Sequence, residues 1–538
     1  MENTYDVAII GGGHNGLVAA FYLSRAGLRT LVLERRSVVG GACVTEEFAP
    51  GFRASPGAYV LSMLREAVGR DLCLRERGLQ VDEAGPSLNV YPDGSTFVLD
   101  VDPHRALDAI RARSVADARA FPGFEAKLAR IARALLPTFD MTAPDPTRGK
   151  AADLSGMAKL GVMALRNRRE LDEMAYLFAT SASQYLDEHF RDDMVKSALG
   201  WESISNTLAG PATSGTAYGL LHEAASGGTG GGVGWGFVRG GMGVVTALMA
   251  DAAREAGAEI RTEAEVDHVD VRNGRAIGVV LSGGEEVRAM RVLSNADPKR
   301  TFLRLVEAGE LPPDFRARID AYRCEGASLK MNLAVAELPR IRTDSGAGVK
   351  PYHRGLVQVT KPLLDLDHDQ ALARGGVPAD RAHMELCVPS VHDPSLAPEG
   401  RHVVTIGVRS QPYHLRDGTW DEHRDAVADR VIAQLGEVFP NLPGSVLHRE
   451  VLTPLDLERR LALTGGHHLH GDMAPDQLLF LRPVRGWADY RTPIRRLYLC
   501  GAGTHPGGGV TGANGRNCAR EVLRDAGRHV PRRWKVVS

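Results

Sequence analysis

Cysteine is scarce and scattered: six in 538 residues (Cys43, Cys73, Cys324, Cys387, Cys500 and Cys518), with no CxxC pair and no metal-like spacing. This excludes a disulfide-stapled scaffold and argues against dithiol redox chemistry, and a reduced, cytoplasmic compartment fits best. A surplus of either charge is missing too. The 65 basic and 66 acidic residues nearly cancel, so no nucleic-acid or polyanionic partner is expected. No run of about twenty apolar residues is available to span a bilayer. The first apolar run follows only a few residues, with Glu2 and Asp6 and no base before Arg25, so neither a signal peptide nor a mitochondrial presequence is expected. What remains is ordinary for a globular protein, at 43% hydrophobic and 24% charged residues. The length is too great for one small core and predicts two domains.

The chain is organised around residues 5–34. Val7, Ile9 and Ile10 predict a short, buried parallel strand. It breaks into Gly11, Gly13 and Gly16, spaced G-x-G-x-x-G, with His14 and Asn15 inside the motif. A helix begins among the glycines: Leu17, Ala20 and Phe21 recur at helical spacing, and Gly27 closes it. A second strand over 30–33 then delivers Glu34. In such a unit the first glycine makes the tight turn, the second admits a pyrophosphate, and the third lets helix and strand pack closely. The phosphates sit on open amides at the positive end of the helix, and the acid accepts from a ribose diol. A lone glycine triplet is a weak signal. This one follows a strand, opens a helix and precedes an acid by eighteen positions, which points to a dinucleotide. The motif alone leaves NAD and FAD open. Arg35 and the Gly40-Gly41-Ala42 turn follow, and the double glycine lets backbone lie against a bulky cofactor.

From about Leu74 to Ser226 the alternation of strand and helix lapses. Residues 89–99 predict two strand pieces around Pro92-Asp93-Gly94, and 103–139 and 154–199 predict helices broken by Pro144-Asp145-Pro146. Met157, Leu160, Val162, Met163 and Leu165 precede Arg166, Arg168 and Arg169. An ordinary packed helix with a solvated end is the commoner origin of that pattern. A membrane-surface helix delivering a lipid-like substrate is the other. Residues 227–236, seven of the ten glycine, have no strand before them and predict a connector or a loop over a ligand. Gly240 to Gly243 then lead into a helix closed by Gly257, and short strands with turns at Asn273-Gly274 and Gly283-Gly284 end at Ser294-Asn295-Ala296-Asp297-Pro298. Residues 300–483 mix helix and strand, with strands over 329–335, 383–388 and 402–408 and a helix over 421–439. His467, His468 and His470 invite a metal, but no further ligand cluster accompanies them and no metal is expected. Finally a strand over 497–500 runs through a glycine-rich turn (501–512) into a helix, a second anion- or carbonyl-binding arrangement.

These segments resemble the FAD-binding flavoproteins of the amine oxidase and phytoene desaturase kind. GGGHNGLVAA, ERRSVVGGA, SNADP, DQLLFLRP and LYLCGAGTHPGGGVTGANGRN together look like one branch of the carotenoid-desaturase-like flavoproteins. That branch contains the pyridine nucleotide-disulfide oxidoreductase domain-containing protein 2 group and the desaturase-like β-carotene ketolases. The resemblance implies an α/β fold: a Rossmann-type FAD domain from 1–73, 237–300 and 484–530, an interleaved α+β substrate domain from 74–236 and 301–483, and a loose basic tail over 531–538. It implies cofactor contacts at Val266, whose backbone would pair with the adenine, and at Asn295. It also places Gly501, Gly503, Gly508, Gly509, Val510, Thr511 and Gly512 at the flavin end.

The expectation is an FAD-dependent oxidoreductase that removes hydride from a hydrophobic substrate, with an isoprenoid or polyene implied by the resemblance, and passes electrons to oxygen, a quinone or another flavoprotein. A carotenoid ketolase or isomerase is the alternative on the same fold, and a flavin-holding regulatory protein without turnover is the alternative from another class. Oligomeric state is left open, and contact with a membrane surface is carried as an alternative to a freely cytoplasmic protein. His470, Asp476, Gln477 and Arg482 precede the flavin-end segment, so they and His505 are candidates to orient substrate or tune the flavin. The competing reading makes His470 a core histidine and pairs Arg482 with Asp476 as a brace.

Overall fold

The computed structural model describes residues 4–205, 207–226, 235–326, 328–344, 346 and 348–530. Its centre is a five-stranded parallel sheet in the order Leu497–Leu499, Val292–Ser294, Val7–Ile10, Thr30–Leu33, Glu259–Arg261. Three stretches far apart in the chain thus supply one sheet. The strands are short and apolar because both faces are covered. Val7, Ile9 and Val32 pack on one side against the helices His14–Arg25, Gly243–Glu255 and Ala513–Asp525. Ala8, Ile10, Leu31 and Leu33 turn to the other side, where an antiparallel meander of Val266–Arg272, Arg275–Leu281 and Glu286–Arg288 covers them. The first and last helices touch backbone to backbone. A Cβ on Gly515 would lie 2.0 Å from the Asn15 carbonyl oxygen, so only glycine permits that approach.

A second, seven-stranded sheet runs in the order Val446–Leu452, Ser328–Val335, His402–Arg409, Met384–Cys387, Val357–Val359, Ser87–Val90, Thr96–Leu99. Its pairs are antiparallel except Val357–Val359 against Ser87–Val90. The hairpin expected around Pro92-Asp93-Gly94 is therefore an edge of this sheet. Trp420–Val438 packs Val427, Val431 and Leu435 onto it, its start fixed by a Thr419–Glu422 capping box.

The helical stretch is more divided than periodicity implied. Ser114 breaks 103–139 into Pro103–Arg113 and Val115–Phe139, its hydroxyl accepting from the Asp117 amide at 3.1 Å. The region after the proline loop forms four helices: Ala151–Arg166, Leu171–Ala179, Ala182–His189 and Asp193–Gly200. Ser181 and Asp192 cap the last two. The expectation of a packed helix around Met157 is overturned: in Ala151–Arg166 only Asp153 is buried. Of the glycine-rich 227–236 stretch, 227–234 lie outside the described residues. Gly236 opens a short strand, Gly236–Val238, that pairs with Val81–Glu83.

Candidate active site

The strands Val7–Ile10, Thr30–Leu33 and Val292–Ser294 end level with one another, Ile10 opposite Leu33 and Ser294. Gly11, Glu34 and Asn295 follow directly, at the carboxyl edge where open α/β sheets bind ligands. Here a cavity of about 340 Å³ opens. Gly11, Gly13, His14, Asn15, Glu34 and Arg35 line it, and so do Gly40, Gly41, Ala42, Val266 and Asn295. Gly508, Gly509 and Val510 join from the last segment, and His470 from the loop before it.

The glycine turn is fastened from three sides. The Gly40 amide donates to the Gly12 carbonyl at 2.9 Å, Asn295 Nδ2 donates to the Gly11 carbonyl at 3.3 Å, and Glu34 Oε2 accepts from the Gly12 amide at 2.8 Å. Glu34 Oε1 accepts from the Arg36 amide at 2.9 Å, which holds the carboxylate at the cavity wall. Gly16 does not reach the cavity. A Cβ there would lie 2.3 Å from the Gly11 carbonyl oxygen, so its place is the close seat of helix on strand. Gly501, Gly503, Thr511 and Gly512 also stand behind the lining. Gly501 abuts the Asn295 carbonyl, Gly503 abuts Pro298, and Gly512 is the N-cap of the final helix. Thr511 Oγ1 accepts from the Ala513 amide at 3.1 Å.

The crevice fits a dinucleotide. The helix that begins at His14 has Gly13 as its N-cap and no side-chain cap, so its first amides remain for phosphate oxygens. His14 Nε2 and His470 Nδ1 are buried without hydrogen-bond partners on the cavity wall. Burial pushes both imidazoles down to about 4, so each is neutral and offers a ring nitrogen to a ligand.

The same cavity continues into a chamber that the sequence did not announce. Lys330, Gly407 and Glu385 stand in one row across three strands of the large sheet, and Arg409 and Ser328 form the next row. The glycine at the centre makes room: a Cβ on Gly407 would lie 2.6 Å from Glu385 Oε1. Glu385 accepts from Arg409 Nη2 and, at 2.6 Å, from the Tyr59 hydroxyl. Arg409 Nη1 donates to Ser328 Oγ at 3.0 Å. Lys330 donates to the Gly57 carbonyl and lies 4.4 Å from the centre of the Tyr59 ring. Burial brings its ammonium down to about 7.

Two further carboxyls, Glu202 and Glu223, enter from a 3₁₀ turn (Trp201–Ile204) and a helix (Tyr218–Ala225) packed on it. Burial raises both, with the neighbouring Glu223 adding to the rise at Glu202, and Glu223 reaches about 7. Glu223 Oε1, Glu385 Oε2, Arg409 Nε and His222 Nδ1 have no hydrogen-bond partner and all belong to residues lining the chamber. Tyr59, Val60, Met63, Trp235 and Leu469 supply apolar wall between these groups.

Of the three catalytic candidates, only His470 reaches the cavity. Tyr322 donates to its carbonyl at 2.9 Å, and its backbone is left-handed at φ +57°. Arg482 is fully buried and donates only to backbone carbonyls: Ala502 at 3.0 Å, Asp472 at 2.8 Å, Leu469 at 2.9 Å, and Gly471 and Gln477 beyond. It ties the 469–477 loop to the flavin-end turn. The Arg482–Asp476 brace of the competing reading does not form, because Asp476 faces outward and takes Arg323 at 2.6 and 2.8 Å. Gln477 likewise turns to Arg323, accepting from its amide at 2.8 Å. His505 lies behind the cavity, its Nε2 donating to the Thr138 carbonyl at 2.8 Å, which fastens the turn to the end of helix Val115–Phe139. Of the three clustered histidines, His467 pairs with Asp472 at 3.2 Å while His468 and His470 line the cavity. Among the described residues no group of three or more metal-ligating side chains is placed to hold an ion.

The missed residues had one available signal. Lys330 and Glu385 stand inside, and Arg409 ends, a largely apolar strand (LKMNLAV, MELC, HVVTIGVR) that is buried along nearly its whole length. A charge in such a strand must find a partner or a ligand.

The profile of the family described as "Flavin containing amine oxidoreductase" matches residues 16–523. The pyridine nucleotide-disulfide oxidoreductase domain-containing protein 2 of Rattus norvegicus is 39% identical over 98% of this chain and 94% of its own. A limonene dehydrogenase component of Castellaniella defragrans is 28% identical over 98% and 95%. A putrescine oxidase structure superposes with a TM-score of 0.61 at 17% identity, covering 97% of this chain and 98% of that one, which is a likeness of fold. With a crevice that fits a dinucleotide at the carboxyl edge of its parallel sheet, this chain belongs to the flavin-containing amine oxidoreductase family and is an FAD-dependent oxidoreductase.

Proposed function

We propose that this enzyme removes the elements of H₂ from adjacent carbons of a hydrophobic, isoprenoid-type substrate, with hydride passing to FAD and the electrons leaving to a separate acceptor such as a quinone or oxygen. The observation that carries the proposal is the continuity of one cavity, from the Glu34 crevice to a chamber of apolar wall set with buried acids. FAD, when bound, supplies the two-electron acceptor for the hydride. Glu34 would hold the ribose, the amides opened by Gly13 the pyrophosphate, and Gly508 to Val510 the flavin end. Val60, Met63, Trp235 and Leu469 would exclude water from the substrate carbons.

Hydride loss from one carbon leaves a proton to be taken from the next, whose C–H electrons become the new double bond. Glu223 suits that task, since a carboxyl raised to about 7 is poised to accept and release a proton near neutrality. The limonene dehydrogenase component, among the relatives, is named for an isoprenoid and supports that substrate class. The test is anaerobic mixing of the FAD-loaded protein with mono-, sesqui- and tetraterpenes in mild detergent. Expected is bleaching of the flavin and a product lighter by two hydrogens. Bleaching by water-soluble amines but by no terpene would overturn the substrate class.

A further inference from the structure

Helix Ala151–Arg166 stands out from the body of the molecule with its most apolar side facing away from it. Leu154, Met157, Val162 and Leu165 are 59%, 40%, 49% and 75% exposed. Together with exposed Ala158 and Gly161 they recur at i, i+3, i+4, i+7, i+8 and i+11, which puts all six on one stripe of an α-helix. The opposite side is the attachment. Asp153 is buried and pairs with Arg148 at 2.7 Å, Arg148 pairs in turn with Asp489 at 2.7 Å, and Gly156 seats against Pro144. The outward stripe is therefore not a core face awaiting a small adjustment. The attachment already fixes which side looks out.

Positive charge borders the stripe. Lys159 and Arg166 follow one edge of it on the helix, and Arg168 and Arg169 come in the next turn, all exposed. Among the described residues none of these four pairs with an acid, while the neighbouring Glu170 is taken by Arg130 at 3.6 Å. A stripe of bulky apolar side chains bordered by free bases along one edge and beyond its end is the pattern of a helix lying in the headgroup layer, where the apolar side enters the acyl boundary and the bases meet anionic lipid. A second copy of this chain is a poorer occupant. An antiparallel two-fold contact through the stripe would set that basic edge against its own copy. Among the described residues no helix is long and apolar enough to cross a membrane.

We propose that helix Ala151–Arg166 and the bases after it dock this enzyme on an anionic lipid bilayer. The proposal stands apart from the identity of the substrate, and its test needs none. The FAD-loaded full chain is sedimented with vesicles of phosphatidylcholine alone and with vesicles containing phosphatidylglycerol. Wild type is expected to bind the anionic vesicles and to be released by salt. Met157→Glu with Leu165→Glu should weaken that binding at least tenfold, and Arg166→Glu with Arg168→Glu should weaken it on anionic vesicles. Both pairs should leave FAD content and melting temperature unchanged, because the side chains are exposed. Failure of wild type to bind anionic vesicles, or equal binding by the Met157/Leu165 variant, overturns the proposal. So does a concentration-dependent dimer that Leu165→Glu dissolves in the absence of vesicle binding, which would give the face to a second copy.

Discussion

At the scale of single residues, chemistry and stability meet at Glu223. Its carboxyl is raised to about 7 by burial against an ordinary 4.5. Between those values the folded state holds a proton that the unfolded chain has released, so this group favours folding fully below 4.5 and loses that contribution as pH climbs through about 7. Lys330 acts in a separate window. Depressed to about 7 from 10.5, it makes stability rise as pH climbs between those values and is silent below. Glu223→Gln should therefore flatten the fall in melting temperature between pH 5 and 7 relative to wild type. It should also slow anaerobic flavin reduction by roughly 10²–10⁴-fold, the usual worth of a positioned acid or base. A variant that reduces at the wild-type rate would remove Glu223 from proton transfer. Gly13 makes a different point. A Cβ there would lie 2.7 Å from Asn295 Nδ2, at the helix N-terminus that no side chain caps, so Gly13→Val should yield folded protein that is colourless as purified. Retention of full yellow colour would make that turn merely structural.

At the scale of elements, the cofactor half was legible and the chamber was not, for one reason. Strand, glycine turn and helix over 5–34 interact with neighbours in sequence, so spacing alone reads them. The meander after Val266 announces itself through Asn273-Gly274 in the same way. Lys330, Glu385 and Arg409 converge only through strand register, and Glu202 and Glu223 only through the packing of a turn on a helix. An apolar stripe such as Leu154 to Leu165 has the same spacing whether it faces in or out, and its attachment by Asp153 and Gly156 decides. Arg482 shows how residue type misleads. A buried arginine before the flavin-end turn suggests a carboxylate partner, yet it serves five backbone carbonyls and joins two loops. Arg482→Ala would leave several of those carbonyls unsatisfied, at about 1–3 kcal/mol each. A clear loss of melting temperature is expected, with partial loss of FAD, and guanidinium added to the buffer should restore some of both. A variant that melts like wild type but reduces slowly would return Arg482 to the substrate.

At the scale of the whole molecule, the cavity is the joint. Glu34 and Asn295 line it from the parallel-sheet half, and Lys330, Glu385 and Arg409 line it from the seven-stranded sheet, so one cavity joins both. Binding to the folded state alone adds about 4 kcal/mol when free FAD is a thousand times its Kd. The question is where that stabilisation is felt. If FAD touched only the parallel-sheet half, the protein stripped of cofactor would melt in two steps, and adding FAD would move one. With its wall drawn from both sheets, the expected outcome is that FAD raises the melting of the whole chain together. Tryptophan fluorescence checks this without any substrate, because the indoles sample both regions. Trp201 and Trp235 lie in the chamber wall or behind it, Trp420 packs on the large sheet, and Trp487 packs on Phe315 beside the meander. A fluorescence transition that shifts with FAD beside a second that stays fixed would show that the two halves are not coupled through the cavity.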